Sequence, residues 1–249
     1  MTRAPAIVAI AALCACGGSP SPQHPPADDP NWGHVEPRTR ETPAPAVAWG
    51  ADHRFAWSNL PAVARGAELV AVPIVDSDGG RGNPNLRVEV RDRSDHVVQA
   101  IAVATSDEME KLAPGGAPSP ELTERLAAAN RALALLHGVH DFVAMHPLEV
   151  QPPAEGSDKH LAIGDGFDVD WNHDHLHVFR HNVERDFLTL DGTPWLAKPR
   201  TAAGEPCANP AYLAAAYHAP DINVIVVELA YKGTDTCWEP GNQLHVVAW

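Results

Sequence analysis

The sequence predicts an α+β domain that consists predominantly of antiparallel β-meanders and hairpins, with one main α-helix at about residues 120–137. Many short segments either alternate between apolar and polar residues or are continuously apolar, as strands are, and Asn, Asp, Gly and Pro separate them. One long segment instead repeats its apolar residues at helical spacing. We expect a single globular domain over residues 49–249, because about 200 residues can bury a substantial core.

The first predicted strands form an antiparallel meander. Residues 68–75 are an apolar run, residues 86–91 alternate between apolar and charged side chains, and residues 97–103 are rich in valine. Residues 93–96 have turn composition between the second and third strands. Strands that follow each other through such short connections pair antiparallel.

The predicted helix has signals at both ends. Ser119 is a good N-cap and Pro120 suits the first helical position, while Gly138 suits the left-handed residue that follows a helix. An apolar stripe comprises Leu122, Leu126, Ala129, Leu133 and Leu136. We expect this stripe to pack against the sheet.

The remaining predicted strands follow the helix. They cover residues 167–172, 175–179, 186–190, 212–217, 222–230 and 244–249. Residues 222–227 are apolar at nearly every position, which predicts a strand buried on both faces. We expect Glu228, at the end of that run, to form a salt bridge rather than act as a general acid or base.

Four of the 14 histidines lie within residues 167–181. The polar residues Asp168, Asp170 and Asn172 alternate with apolar neighbours, and Asn172, His173 and Asp174 have turn chemistry. This pattern predicts a hairpin in which His175 and His177 share one face. A helix would instead stack His173, His177 and His181.

The His-rich hairpin raises the hypothesis of a metal site. Neutral imidazoles together with a carboxylate are ligands that zinc and iron accept. The candidate ligands are His173, His175, His177, His181, Asp170 and Asp174. The alternative is a polar hairpin whose imidazoles face water or bond to carboxylates.

The loop after the first strand of the meander contains Asp76 and Asp78 in an Asp-x-Asp-Gly sequence, which invites comparison with calcium loops. The EF-hand spacing fails, since Arg81 and Arg87 occupy the glycine and bidentate-acid positions. We therefore expect a glycine-rich turn and no calcium site here.

The N-terminus has the features of an export signal. Arg3 precedes an apolar run at residues 7–13 that is too short to span a bilayer. The sequence Leu13-Cys14-Ala15-Cys16 resembles a bacterial lipobox. This resemblance implies that residues 1–15 are a lipoprotein signal peptide and that Cys16 carries the lipid. No aspartate follows Cys16, which for a lipoprotein favours the outer membrane.

Residues 16–48 are rich in proline and poor in apolar side chains, which predicts an extended, semi-rigid tether. Cys207 and Cys237 are the cysteines that would remain beyond the lipidated one. In an exported protein such a pair predicts one disulfide bond. A reduced pair and a pair of metal-binding thiolates are the alternatives.

Composition limits the functions that the chain can have. A formal net charge of −14 opposes binding to nucleic acids. The usual hydrolase, metalloprotease and P-loop signatures are absent from the sequence. We therefore expect a lipoprotein anchored to the cell envelope that serves as a binding or structural module.

The alternative function is a metal-dependent enzyme, similar to a hydrolase, that uses the hairpin at residues 170–181. Such an enzyme needs distant residues to converge on His175 and His177, and the candidates are Glu228, His218 and His245.

Overall fold

The computed structural model describes residues 42–52, 54–77, 84–151, 160–164, 166–172, 174–181, 188–196, 211–219, 221–231 and 242–249. The predicted signal peptide at residues 1–15 lies outside these ranges, as do Cys16, Asp78, His173, Cys207 and Cys237. Residues 41–249 form one structural unit. Among the residues described, neither helix has the length and apolar character needed to cross a lipid bilayer.

The described residues form sixteen strands and two α-helices. The first six strands are β1 (Ala46–Trp49), β2 (Phe55–Ser58), β3 (Ala62–Ala64), β4 (Leu69–Ser77), β5 (Pro84–Asp92) and β6 (Val97–Ala104). The helices are α1 (Ser106–Leu112) and α2 (Pro120–His140). The next five strands are β7 (Phe142–Ala144), β8 (His146–Pro147), β9 (Glu149–Gln151), β10 (His160–Gly164) and β11 (Phe167–Asn172). The last five are β12 (His175–Arg180), β13 (Leu188–Asp191), β14 (Ala211–Ala219), β15 (Ile222–Tyr231) and β16 (Gln243–Ala248).

The strands form three sheets and a two-stranded ribbon, all antiparallel. The first sheet has the order β6-β5-β4-β3-β7, the middle sheet β16-β15-β14-β8 and the hairpin sheet β13-β12-β11-β10-β9, while β1 and β2 form the ribbon. The predicted antiparallel, β-dominated architecture is thus confirmed. The paired strands β4, β5 and β6 are the predicted meander.

Three hydrophobic cores stack these elements in layers. The first core joins the helices and the ribbon to one face of the first sheet, as Leu126 and Val88 illustrate. The second core lies between the first and middle sheets and contains Val72 and Val226. The third core lies between the middle and hairpin sheets and contains Val227 and Trp171. The middle sheet is therefore covered on both faces.

Strand β15 runs through the centre of the middle sheet, between β14 and β16. Its even-numbered residues Val224 and Val226 enter the second core, and its odd-numbered residues Ile225 and Val227 enter the third. The continuous apolar sequence of this segment follows from burial on both faces, which confirms the prediction of a central strand.

Helix α2 begins at Pro120 as predicted, and the Ser119 hydroxyl accepts a hydrogen bond from Leu122 N–H. Its predicted end was wrong, because Gly138 lies inside the helix, which continues to His140. Asp141 is the left-handed residue, with φ of 50°. Aspartate tolerates the left-handed conformation that was assigned to glycine. The Arg65 guanidinium lies 2.6 Å from the Asp141 carboxylate, and both side chains are exposed.

Helix α1 and the strands before residue 68 were not predicted. Helix α1 starts with a capping box in which the Thr105 N–H donates to the Glu108 carboxylate. Hydrogen bonds from Arg125 and Thr105 lower the pKa of Glu108 to about 2. Strand β1 begins at Ala46, within the segment assigned to the tether, and Val47 exchanges backbone hydrogen bonds with the Asn130 side chain.

A network of polar side chains joins the first and middle sheets, and we call it the polar clamp: Glu89, Arg91, Asp95 and His245. Arg91 lies 2.6 Å from Glu89 and 2.8 Å from Asp95. His245 Nδ1 donates to Asp95 across 2.7 Å, because an ionised carboxylate can only accept. The His245 ring also packs against another aromatic ring. It stacks on Trp195, which follows the last strand of the hairpin sheet, with 4.7 Å between the ring centroids.

The polar clamp also covers the outer edge of the middle sheet, which is strand β16. Asp95 accepts a hydrogen bond from Val246 N–H at 2.8 Å, and Arg91 donates to the Leu244 carbonyl. Both backbone groups would otherwise form an open edge that invites pairing with another chain. The polar clamp therefore covers the β16 edge of the middle sheet and also joins that sheet to the first sheet.

We predict that Asp95→Asn destabilises the domain by about 1–3 kcal/mol, because it removes charge-assisted hydrogen bonds to three partly buried groups. Urea unfolding followed by circular dichroism measures the change. Glu124→Gln is the matched control, since Glu124 is exposed on helix α2. Equal stability of the Asp95 and Glu124 variants would contradict the role of the clamp.

The same comparison has a defined pH dependence. Burial raises the pKa of Asp95, but hydrogen bonds from His245, Val246 N–H and Arg91 outweigh it and lower the pKa below its usual value. A carboxyl with a lowered folded-state pKa stabilises the fold above the unfolded-state pKa of about 3.9. The stabilisation is lost as the pH falls through the folded-state pKa. The difference between wild type and Asp95→Asn should therefore shrink below about pH 4.

Candidate functional site

The predicted His-rich hairpin is confirmed. Strands β11 and β12 pair antiparallel, with Trp171 opposite Leu176 and Asn172 opposite His175. Asp174 in the turn has a left-handed φ of 68°, as its residue type allows. Its carbonyl accepts a hydrogen bond from Gly192 N–H at 2.8 Å, which attaches the turn to the end of β13.

Alternation along the hairpin separates an apolar face from a polar one. Val169, Trp171, Leu176 and Val178 enter the third core. His175 and His177 lie on the opposite face, with ring centroids 6.4 Å apart and planes inclined by 25°. The prediction that these two imidazoles share a face is therefore confirmed. His177 Nδ1 also lies 3.1 Å from the Thr189 hydroxyl on β13.

The other described candidate ligands are spread over the hairpin sheet. Asp170 is paired in register with His177 and is 3% exposed. His181 Nε2 lies 2.8 Å from Asp168, so His181 belongs to a separate ion pair. Within the described ranges, no group of three or more His, Cys, Asp or Glu side chains is arranged to hold a metal ion.

The three residues proposed to converge on the hairpin do not lie on the face that carries His175 and His177. Glu228 accepts a hydrogen bond from the Asn242 side chain at 2.5 Å. Among the residues that the structure describes, it forms no salt bridge. His245 is part of the polar clamp. The His218 ring lies 6.2 Å from Phe167, which alternates with Asp168 and so belongs to the apolar face.

A pocket of about 660 Å³ lies between the ribbon and helix α1, and we call it the aromatic pocket. Its apolar lining includes Trp49, Phe55, Trp57, Val75, Pro84 and Met109. Two charged side chains, Arg54 and Glu110, also border it. Pockets of this size and apolar character commonly bind small molecules.

Local structure fixes the walls of the aromatic pocket. The Trp49 indole N–H donates to the Gly116 carbonyl at 2.9 Å, which attaches the ribbon to the turn after α1. Gly115 and Gly116 both have positive φ, 62° and 85°, which side chains with a Cβ rarely adopt. The Phe55 and Trp57 rings are 6.1 Å apart, and Trp57 remains 42% exposed.

Two further hollows lie near the aromatic pocket. A middle hollow of about 230 Å³ shares Trp57 and Val75 with it and adds Tyr217 and Glu228. A polar cleft of about 360 Å³ shares Asn242 and Leu244 with the middle hollow. Neighbouring hollows share lining residues, while the aromatic pocket and the polar cleft lie on opposite faces of the first sheet. We refer to the three hollows together as the groove.

The polar cleft contains paired charges. It is lined by Asp76, Asn85, Arg87, Arg91, Asn242 and Gln243, among others. Arg87 lies 2.7 Å from both Asp76 and Glu89. Burial lowers the pKa of Arg87, but the two carboxylates outweigh burial and raise it. Asp76, which lies in the Asp-x-Asp-Gly sequence, forms an ion pair with Arg87.

Sequence analysis did not identify the groove. The local signal was the density of aromatic side chains at Trp49, Phe55 and Trp57, in a chain with seven Trp and five Phe. The remaining walls come from residues far apart in sequence, such as Met109, Tyr217 and Asn242. Spacing along the chain does not reveal such convergence.

The metal hypothesis has a direct test on the fragment 41–249, purified without metal-chelating resin. If His175 and His177 belong to a metal site, the fragment should retain near-stoichiometric zinc or iron, because imidazoles on one face can chelate one ion. The double change His175→Ala, His177→Ala should remove the metal. His96→Ala with His146→Ala, two exposed histidines elsewhere, is the control. Elemental analysis that finds no metal in the unchanged fragment would reject the hypothesis.

Comparisons of the chain with protein-family models, with curated proteins and with solved structures return no match.

Proposed function

We propose that this chain is an exported lipoprotein of the cell envelope whose domain binds a ligand in the groove. The aromatic pocket carries this proposal. It combines a volume of about 660 Å³ with exposed aromatic surface, and a half-exposed tryptophan offers binding area without a large loss of side-chain freedom.

The proposed anchor rests on the N-terminal sequence. Lipid on Cys16 would hold the chain at the membrane, and the proline-rich segment 16–48 would keep the domain at a distance from it. The absence of an aspartate after Cys16 supports the outer membrane. The same export supports a disulfide bond between Cys207 and Cys237.

A binding role fits the site better than catalysis does. The groove places aromatic rings beside hydrogen-bonding side chains, the usual composition of a binding site. Its charged groups at Arg87 and Arg91 are already paired with carboxylates. A protein with a net charge of −14 would also repel nucleic acids and anionic lipid surfaces.

The second candidate is a metal-dependent, hydrolase-like enzyme at the His-rich hairpin. One observation supports it, namely that His175 and His177 present their rings on the same face with Asp170 opposite His177. A metal ion held there would activate water. The metal analysis of the His175 and His177 variants decides whether this candidate stands.

We predict that Cys16→Ser abolishes lipidation, because the thiol is the acceptor of the lipid. Metabolic labelling with palmitate in a bacterial host, followed by membrane fractionation, measures the effect. Cys14→Ser is the matched control and should remain labelled and membrane-bound, since Cys14 would leave with the signal peptide. Label that persists in Cys16→Ser would disprove this anchor.

We predict that the fragment 41–249 binds the fluorescent probe 1-anilinonaphthalene-8-sulfonate saturably in the aromatic pocket. Trp57→Ala should weaken binding by about two- to tenfold, the value expected for one aromatic contact. The matched control is Leu135→Ala, which removes an apolar side chain that is 74% exposed on helix α2. Equal binding by both variants would show that the probe does not use the pocket.

A further inference from the structure

The middle hollow lies where the ribbon, the first sheet and the middle sheet approach one another. Trp57 of strand β2 lines it together with Tyr217 of β14 and Glu228 of β15. Strand β3 pairs only with the first part of β4, and the hollow adjoins the part beyond this pairing, at Pro73 and Val75. Its volume of about 230 Å³ admits a small molecule or one chemical group of a larger ligand.

The middle hollow carries a negative charge. Glu228 is the only residue with a charged side chain among the described residues that line it. The carboxylate accepts a hydrogen bond from the neutral amide of Asn242 and forms no ion pair with a residue that the structure describes. The charge in the hollow is therefore left for a ligand to compensate.

The phenol of Tyr217 is affected by the same charge. Burial raises the pKa of Tyr217, and the nearby Glu228 raises it further, because a phenolate beside a carboxylate is repelled. The phenol therefore stays neutral at pH 7 and adds an aromatic ring to the lining without adding a second charge. A cation in the hollow would relieve the repulsion that an anion would increase.

The remaining lining favours one kind of cation. Its apolar side chains are Pro61, Pro73, Val75 and Leu244. A metal ion or a primary ammonium group needs several oxygen acceptors, whereas the described side chains offer one carboxylate, one amide and one phenol. A quaternary ammonium group has no N–H to satisfy and spreads its charge over methyl groups, which contact apolar walls well.

Aromatic rings attract such a group. The face of an indole or phenol ring carries partial negative charge and binds cations that lie over it, quaternary ammonium groups among them. Two rings line the hollow, those of Trp57 and Tyr217, and Trp57 is 42% exposed. The hollow thus combines aromatic surface with a carboxylate that has no cationic partner among the described residues.

We propose that the middle hollow binds an organic cation through a quaternary ammonium group, with the cation beside Glu228 and in contact with the rings of Trp57 and Tyr217. This proposal rests on the proposed binding function and names the class of ligand. A neutral ligand would leave the carboxylate without a counter-charge, and an anion would be repelled by it. The net charge of −14 also favours the accumulation of cations around the protein.

The test is isothermal titration calorimetry of the full chain in a polyoxyethylene detergent, which is uncharged. The probe is choline. One control is 3,3-dimethylbutan-1-ol, which has nearly the same shape without the charge, and the other is ethanolamine, whose ammonium group is primary. Choline should bind with sub-millimolar affinity, at least about fivefold more tightly than either control.

A further ligand identifies the source of the cation. Phosphocholine presents the same quaternary ammonium group as it occurs in a lipid headgroup. Binding tighter than that of choline supports the proposal with a headgroup as the ligand. Binding that is weaker or equal supports it with a free cation as the ligand.

Variants locate the binding site. Glu228→Gln removes the charge, keeps the shape and should weaken choline binding by about tenfold. Glu124→Gln makes the same change of net charge at an exposed position on helix α2 and should bind as the wild type does. Trp57→Ala removes one ring and should weaken binding by about three- to tenfold. Circular dichroism monitors folding, and Glu228→Gln keeps the test valid if Trp57→Ala does not fold.

The proposal is overturned if choline does not bind at millimolar concentration, if the alcohol or ethanolamine binds as tightly, or if Glu228→Gln binds choline as Glu124→Gln does. Any of these results together with binding of the fluorescent probe that depends on Trp57 leaves the aromatic pocket as a site for another ligand. Loss of probe binding as well would remove the proposed binding function itself.

Discussion

The contact between Asp95 and His245 links the first sheet to the edge of the middle sheet. Asp95 belongs to the turn between β5 and β6 of the first sheet, His245 belongs to β16 of the middle sheet, and the imidazole stacks on Trp195 beside the hairpin sheet. Arg91 completes the arrangement and also lines the polar cleft. The side chains that close the edge of the middle sheet thereby also form a wall of the groove, so that site and fold share one polar network.

Sequence patterns predicted the features that depend on neighbouring residues. The meander, the start of helix α2, the hairpin and the shared face of its two histidines all follow from local alternation, turn chemistry and capping. The predicted end of α2 was wrong because the left-handed position falls on Asp141, a residue type that adopts this conformation less often than glycine does. Helix α1 carried a local signal, the capping box at Thr105 and Glu108, that the prediction did not use.

The candidate site depends on contacts between residues that are far apart in sequence, which sequence patterns do not reveal. Histidines close together in sequence drew attention to the hairpin, where two of them lie side by side on one face. The groove instead combines Trp57, Tyr217 and Asn242 from three separate parts of the chain. Each of these residues has an ordinary sequence context, and only the packing of the first and middle sheets brings them to one surface.

The position of the middle sheet along the chain has a consequence for the order of folding. Apart from the short β8, this sheet consists of β14, β15 and β16, which are the last strands of the chain. The first sheet and the hairpin sheet each need it to bury an inner face. Until these strands have been made, the facing surfaces of both other sheets have no partner to cover them. The unfinished domain therefore exposes apolar surface and depends on protection from aggregation during synthesis.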